Sequence, residues 1–439
     1  MVVHSPERLK LNYGRESLQM LKEVPRKSVS HVVKRPGRLH GQPDVEIPVA
    51  DDLATVPGIP KKDEDVAFYS RIYPVESQNI EKAADREWVW TVYTEEVLKY
   101  RERHDEVNQP LVDASLLTGD LAPTGTPEVG KNMTDVIRLK ARELGFGEVG
   151  FTKFDHKYAY ASKKRWVKYE HTICLALEQD YYQTQTIPSL EAEFAHFGTY
   201  EIEGALALDL ADYIRSLGYH AQVHSPNDNS GVYIPMFVAA GLGQLGANGQ
   251  LLSPHFGSRA RLAMITTDAP VTYDEPIDYG LHNFCQVCQV CVNRCPGRAL
   301  VKEKVWWRGA EKNKLIYERC RPVMARYDGC GVCMKVCPIQ KYGAPAVMEH
   351  YVETGEVLGK GTDNLEGYEI PEKGYFGPGS LPQFNRQFFE IPHGRREEWL
   401  FEEFKEKLEN DMLPTEEIMD FAVELKKILD EGGTTRGDE

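Results

Sequence analysis

Eight of the nine cysteines fall between Cys285 and Cys337. The first four read Cys285-Gln-Val-Cys288-Gln-Val-Cys291-Val-Asn-Arg-Cys295-Pro296; after a spacer come Cys320 and Cys330-Gly-Val-Cys333-Met-Lys-Val-Cys337-Pro338. Three closely spaced thiolates suit three corners of an iron–sulfur cubane, while the fourth, just before a proline, reaches across to the neighbouring cluster. Two runs of this kind complete each other, and two are present. In the second run nine residues separate Cys320 from Cys330 where two would be regular, and a loop there can still return the first thiolate to its corner. The crossover rule assigns Cys285, Cys288, Cys291 and Cys337 to one [4Fe-4S] cluster and Cys320, Cys330, Cys333 and Cys295 to the other. Cys-x-x-Cys pairs also make tetrahedral zinc sites, but zinc has no need of a Cys-x-x-x-Cys-Pro ending twice. A disulfide framework fits less well still, because a chain of 439 residues is far too long to need covalent staples.

That length, with 41% apolar residues, suits a globular protein of two or three domains. The longest apolar stretches, such as Ile234 to Leu245, are broken by proline and glycine and are too short to cross a bilayer. A net charge of −15 argues against nucleic acid as a partner, since phosphate binding needs a concentrated basic surface. Charge is uneven: residues 1–40 hold nine Lys or Arg against three Glu, and the segment from Glu397 onward is acidic. Solvated surface explains both better than docking sites do. Met1-Val-Val-His-Ser-Pro shows neither an apolar export core nor a twin arginine. The expectation is a cytoplasmic protein, or one on the periplasmic side if a twin-arginine leader has been removed.

Four regions are expected. Residues 1–130 form an N-terminal arm or capping region, with helical hints at Ser17 to Lys22 and Asp85 to Arg103 and with aromatics Tyr69, Tyr73, Trp88, Trp90 and Tyr93. Residues 131–275 alternate helix and strand, an α/β layer structure. There Asn132 offers an N-cap, Ile137, Ala141 and Leu144 share a helical face, and Gly145 ends the helix before a strand from Glu148 to Phe154. A strand from Thr172 to Glu178 carries the ninth cysteine, Cys174, as a small buried side chain. A helix from about Tyr200 to Leu217 carries the stripe Leu206, Leu210, Ile214, Leu217; strands follow at Tyr219 to His224 and Ala260 to Thr267. Residues 276–345 hold the two clusters, with Trp306 and Trp307 in the spacer. Residues 346–439 start irregular and end in two amphipathic helices, between Glu397 and Leu429, that pack on the core.

The run Gly241-x-Gly243-x-x-Gly246 matches a dinucleotide fingerprint, and Asp268 lies at about the right distance for a ribose contact. That motif needs a helix to open at its glycines, yet Asn248-Gly249 and Ser253-Pro254 would break it. The glycines are better suited to close approach of backbone to a flat or bulky ligand.

The order Tyr200, Arg215-Ser-Leu-Gly218-Tyr219-x-Ala221, Ala240-Gly241-Leu-Gly243-Gln-Leu-Gly246, Ser253-Pro254-x-Phe256-Gly257, Arg261-Leu262, Thr267-Asp268 and Phe284-Cys285 resembles the corrinoid-dependent reductive dehalogenases over residues 130 to 345. The resemblance implies a nitroreductase-like cobalamin-binding domain of α/β (α+β) class joined to a two-[4Fe-4S] bacterial-ferredoxin-like domain. It implies cobalamin without a protein ligand to cobalt, and the Asp-x-His-x-x-Gly motif is indeed absent. Halide would leave an organohalide at reduced cobalt, with electrons passing through both clusters from a low-potential donor such as a ferredoxin, a flavodoxin or a membrane-linked carrier. By position, Tyr200 is the proton donor and Arg261 the cation beside it. A free phenol titrates near about pH 10, and a neighbouring guanidinium favours the phenolate. Asn227 or Asn229 would add a polar contact to the halide, a turn role being the alternative. Cofactor contacts fall on Gly241, Gly243, Gly246, Asn248, Phe256 and Asn229, and a homodimer is compatible with this reading. Two rivals remain: an epoxyqueuosine reductase-like tRNA-modifying enzyme, which typically uses an aspartate acid and basic surface, and a non-catalytic iron–sulfur electron-transfer subunit, which leaves residues 131–275 without a purpose.

Overall fold

The computed structural model describes residues 28–33, 45–54, 57–58, 60, 95–159, 163–226, 230–307 and 310–389. Strands β1 (Ser28–Val33) and β2 (Val45–Ala50) pair antiparallel. Helix α1 spans Glu95–Leu117, so the expected Asp85–Arg103 helix runs past its predicted end and through Pro110. Residues 85–94, the hint at Ser17 to Lys22, the five aromatics and the tail from Glu397 lie outside the described residues.

Helix α2 (Thr134–Leu144) opens where Asn132 Oδ1 accepts from Thr134 N–H at 3.0 Å and closes on left-handed Gly145. Behind it come β3 (Glu148–Lys153), β4 (His171–Glu178), the short α3 (Tyr181–Gln185) and the long α4 (Leu190–Ser216). Helix α4 starts about three turns before the expected Tyr200, because Ser189 caps it by accepting from Ala192 N–H at 3.2 Å. Then follow β5 (Ala221–Val223), α5 (Ile234–Ala239), the paired β6 (Gln244–Leu245) and β7 (Leu251–Leu252), and β8 (Ala260–Thr267), the last as expected.

The central sheet has the order β3-β4-β8-β5 with every neighbour antiparallel. Helix and strand therefore alternate along the chain without parallel crossovers, and the layers are α+β. Strand β4 shows why both faces are covered. Ile173, Leu175 and Leu177 point to Ile137 and Ala141 of α2 and to Leu210 and Ile214 of α4. Cys174 and Ala176 point to Phe237 and Val238 of α5. Cys174 is fully buried, as its apolar setting suggested.

The cysteine layer comprises α6 (Leu281–Cys288), α7 (Val290–Arg294), a hairpin of β9 (Leu300–Trp307) and β10 (Ala310–Leu315), α8 (Tyr317–Arg326), α9 (Val332–Lys335) and α10 (Pro338–Tyr342). The spacer with Trp306 and Trp307 is thus a hairpin. Residues beyond 345 are not irregular at first: α11 spans Ala344–Thr354, and its Val347, Met348 and Tyr351 share a core with Ile47 and Val49 of β2 and Phe284 of α6.

Gly257 locks the sheet layer to the cysteine layer. Its φ is +58°, and a Cβ there would sit 2.4 Å from Gln340 Cα. Arg259 Nη1 donates to Gln340 O at 3.0 Å across the same seam. Gly257→Ala combines left-handed strain of about 1–3 kcal/mol with a backbone clash, so it should lower the denaturant midpoint by more than a surface Gly→Ala such as Gly130→Ala. Equal midpoints for the two variants would refute this.

Candidate active site

The expected ligand set is gathered in one layer. Cys285, Cys288, Cys295 and Cys337 are buried, Cys291, Cys320, Cys330 and Cys333 half-buried, and none is in a disulfide. Their electrostatic neighbours sort them into two groups. Cys288 feels Cys285 and Cys337, and Cys291 feels Cys285, Cys288 and Cys337. Cys330 feels Cys295 and Cys320, while Cys333 feels those three first and Cys337 last. This grouping is the one that the crossover rule expects, and Cys291 of the first group also feels Cys333 of the second. Burial, then Cys285, pushes the Cys337 thiol up to about 12, and burial, then Cys295 and Cys320, does the same for Cys330. Thiolates in such a place need a compensating cation. Among the described residues no three His, Cys, Asp or Glu side chains gather as the ligands of one ion do, an arrangement a polynuclear centre does not require.

Backbone strain marks the second quartet. Asp328, Gly329, Cys330 and Gly331 are all left-handed, at φ of +43°, +74°, +51° and +65°. A non-glycine residue there costs free energy that only surrounding structure can sustain. Backbone N–H groups point at the sulfurs: Ala299 N–H reaches Cys295 Sγ at 3.3 Å, and Ala247, Val290, Val332, Ile339 and Gln340 serve Cys285, Cys288, Cys330 and Cys337. Hydrogen bonds to sulfur of this kind tune cluster potentials.

Tyr200 and Arg261 meet as expected. Tyr200 is half-buried on α4, and the Arg261 guanidinium from β8 lies 5.2 Å from its ring centroid. Arg261 Nη2 donates to Gln179 Oε1 at 2.9 Å, which fixes the guanidinium at the sheet's end. Beside them His196 stands with its ring centroid 5.3 Å from that of Tyr200 and its Nδ1 3.1 Å from Glu193 Oε2.

Several buried donors have no hydrogen-bond partner among the described residues: Ser258 Oγ, Arg259 Nε, Arg261 Nε and Gln340 Nε2. Arg259 and Gln340 face each other across the seam between the sheet and cysteine layers.

No family model matches the chain. The tetrachloroethene reductive dehalogenase of Desulfitobacterium hafniense is 33% identical over 211 residues, 45% of this chain and 36% of that protein. That of Sulfurospirillum multivorans is 34% identical over 142 residues, 30% of this chain and 28% of that protein. The chain is a relative of the reductive dehalogenases. The matches span about a third of these relatives' own length. An epoxyqueuosine reductase of Lactococcus garvieae (strain Lg2) is a more distant relative, 30% identical over 122 residues, 26% of this chain and 34% of that protein. The solved structure of a catabolic reductive dehalogenase shares the fold, with a TM-score of 0.58 and 22% identity over 77% of this chain and 55% of that one.

In this reductive dehalogenase relative the glycine run does not open a helix, in keeping with its broken context. Its glycines allow close internal packing. A Cβ on Gly241 would lie 2.6 Å from Glu275 O, one on Gly243 2.4 Å from Leu252 O, and one on Gly246 2.8 Å from the Leu252 side chain. The loop brings Ala247 N–H to Cys285. Asn248 spends its side chain on Gln250, accepting from its N–H at 3.2 Å, and the Phe256 ring packs on Gly147. Asp268 is bound to His220, whose N–H it accepts at 2.8 Å. Asn227 and Asn229 lie outside the described residues.

Glu193, His196 and Gln179 had no motif to announce them. Residue spacing on an extended α4 is the one signal that could have found the first two, since positions 193, 196 and 200 share a helical face, and the expected helix began too late to show it. Ser253, named above only as part of the matching string, anchors its loop: its Oγ donates to the buried Glu148 Oε1 at 2.5 Å and accepts from His255 and Phe256 N–H at 3.1 Å each. Burial pushes the Glu148 carboxyl up to about 8.

Proposed function

We propose that the chain is a reductive dehalogenase whose residues 131–275 form a nitroreductase-like cobalamin domain and whose residues 276–345 form a ferredoxin-like domain with two [4Fe-4S] clusters. The observation that carries this is the convergence, in one fold, of two buried thiol quartets with an Arg261 guanidinium 5.2 Å over the Tyr200 ring. Eight thiols, of which Cys285, Cys288, Cys295, Cys330 and Cys337 are served by backbone N–H groups, are a donor set that suits two cubanes. The unpartnered donors Ser258 Oγ, Arg259 Nε, Arg261 Nε and Gln340 Nε2 suit a large ligand bearing many amide acceptors, as cobalamin does. Bound cobalamin would supply the low-potential metal centre at which a carbon–halogen bond is cleaved.

The chain's own residues do the rest. Tyr200 holds a proton at Oη and gives it to the carbon that loses halide. Arg261 stabilises the phenolate left behind, and Gln179 keeps Arg261 over the ring. Asn227 or Asn229 would add a polar contact. Clusters held by the two quartets, which neighbour each other at Cys291 and Cys333, would carry electrons from an external low-potential donor. A halogenated organic molecule is the substrate class, and nucleic acid is not expected at a chain of net charge −15. No described helix is long and apolar enough to cross a membrane.

The test is anaerobic reconstitution with iron, sulfide and cobalamin, reduction, and a screen of halogenated aromatics and alkenes for halide release. Release from at least one class is expected. A protein that takes up both cofactors yet frees no halide, or one that takes up no cobalt, would overturn the reading.

A further inference from the structure

We propose that His196, held by Glu193, is a positioning residue that returns a proton to Tyr200 after each turnover, an inference resting on the dehalogenase reading above. Glu193, His196 and Tyr200 stand on one face of α4. The His196 ring stacks on Phe197 with centroids 5.2 Å apart, lies 5.3 Å from the Tyr200 ring, and joins Glu193 through Nδ1 at 3.1 Å. Glu193 is only 6% exposed, with Arg101 Nη2 at 3.9 Å from its other oxygen. The loop before Cys330 walls it in: a Cβ on Gly329 would sit 2.3 Å from Glu193 Oε2.

Among the described residues the titratable neighbours include Tyr100 of α1, which feels both Glu193 and Glu201. Arg101 and His104 come from α1, Arg261 from β8, Asp328 from the Cys330 loop, and Tyr200 and Glu201 from α4 itself, Glu201 taking His104 Nδ1 at 2.9 Å. Burial, then Arg261, holds the His196 imidazole below the ordinary histidine value. Burial works against ionising Glu193, but His196, Arg101 and Arg261 outweigh it and keep its carboxyl below the usual range. The resting pair is therefore a neutral ring donating Nδ1–H to a carboxylate, with Nε2 left as an acceptor. Once the Tyr200 O–H bond has broken and its proton has gone to carbon, a phenolate stands beside that ring. A solvent proton binds Nε2; the Nε2–H bond then breaks as the phenol O–H re-forms, and the imidazole returns to neutral. No electron moves in this step.

The test uses the reconstituted enzyme. His196→Ala should lower kcat by about 10–100-fold with KM nearly unchanged, the deficit should grow as pH rises, and added imidazole should restore part of the rate. In histidine-15N-labelled enzyme the His196 signals should report a protonated Nδ1 and a bare Nε2, a tautomer lost in Glu193→Gln. A variant with wild-type kcat and pH profile, or a loss that imidazole does not relieve in a fully loaded protein, overturns the relay while leaving the dehalogenase reading intact. Absence of halide release from the wild type overturns both.

Discussion

Cys337→Ala should lose the first cluster and keep the second, even though Cys337 closes the second cysteine run. Its electrostatic neighbour is Cys285, and Cys288 and Cys291 in turn feel Cys337. Iron content should fall from about eight to about four per chain. The surviving signal should match that of the parent's other cluster by low-temperature paramagnetic resonance, and Cys295→Ala should give the complementary spectrum. Cys174→Ala is the control: that thiol is fully buried in the sheet core beside Phe237 and Met264, so its loss should leave iron content unchanged. Loss of the same cluster in Cys337→Ala and Cys333→Ala would contradict the quartets, since Cys333 sits with Cys295, Cys320 and Cys330. On the proposed reading the effect is large because binding a cluster also contributes folding free energy.

Tyr200→Phe should reduce halide release by about 10²–10⁴-fold, the usual worth of a positioned general acid, with both clusters and the bound corrinoid intact. The substitution removes one oxygen and keeps the ring under Arg261, so the cation–π contact at 5.2 Å survives and packing is little disturbed. The loss should appear in kcat more than in KM, because the proton is needed only as carbon gains charge. Arg261→Met should cost less, since it weakens stabilisation of the phenolate while leaving the proton in place. Normal halide release by a fully loaded Tyr200→Phe enzyme would remove Tyr200 from the mechanism.

Secondary structure in the sheet layer was accessible from local patterns. Strand β8 matches its expected span of Ala260 to Thr267, and the α2 helix ends at Gly145 as expected. Helix α4 was cut short because the polar, aromatic segment from Glu191 to Thr199 shows no clean apolar stripe, and its cap at Ser189 precedes a stretch with little periodicity. Tertiary packing decides such a segment: α1 lies along it, with Tyr100 stacked on Phe194 at 3.8 Å. Helix α11 begins on Gly343 and Pro345, residue types that locally favour a break, in a stretch expected to be irregular.

Cysteine spacing and the proline after each fourth cysteine carried the expectation of two groups of four thiols, and the folded chain sets Cys291 beside Cys285, Cys288 and Cys337, and Cys333 beside Cys295, Cys320 and Cys330. The order of Tyr200, the glycine run and Arg261 likewise carried the kinship with reductive dehalogenases. Only the folded chain decided what those glycines touch, which buried donors stay unpartnered among the described residues, and that Glu193 and His196 stand beside Tyr200. Those contacts join α1, α4, β8 and the Cys330 loop, and no local pattern encodes which side chains four distant segments will bring face to face.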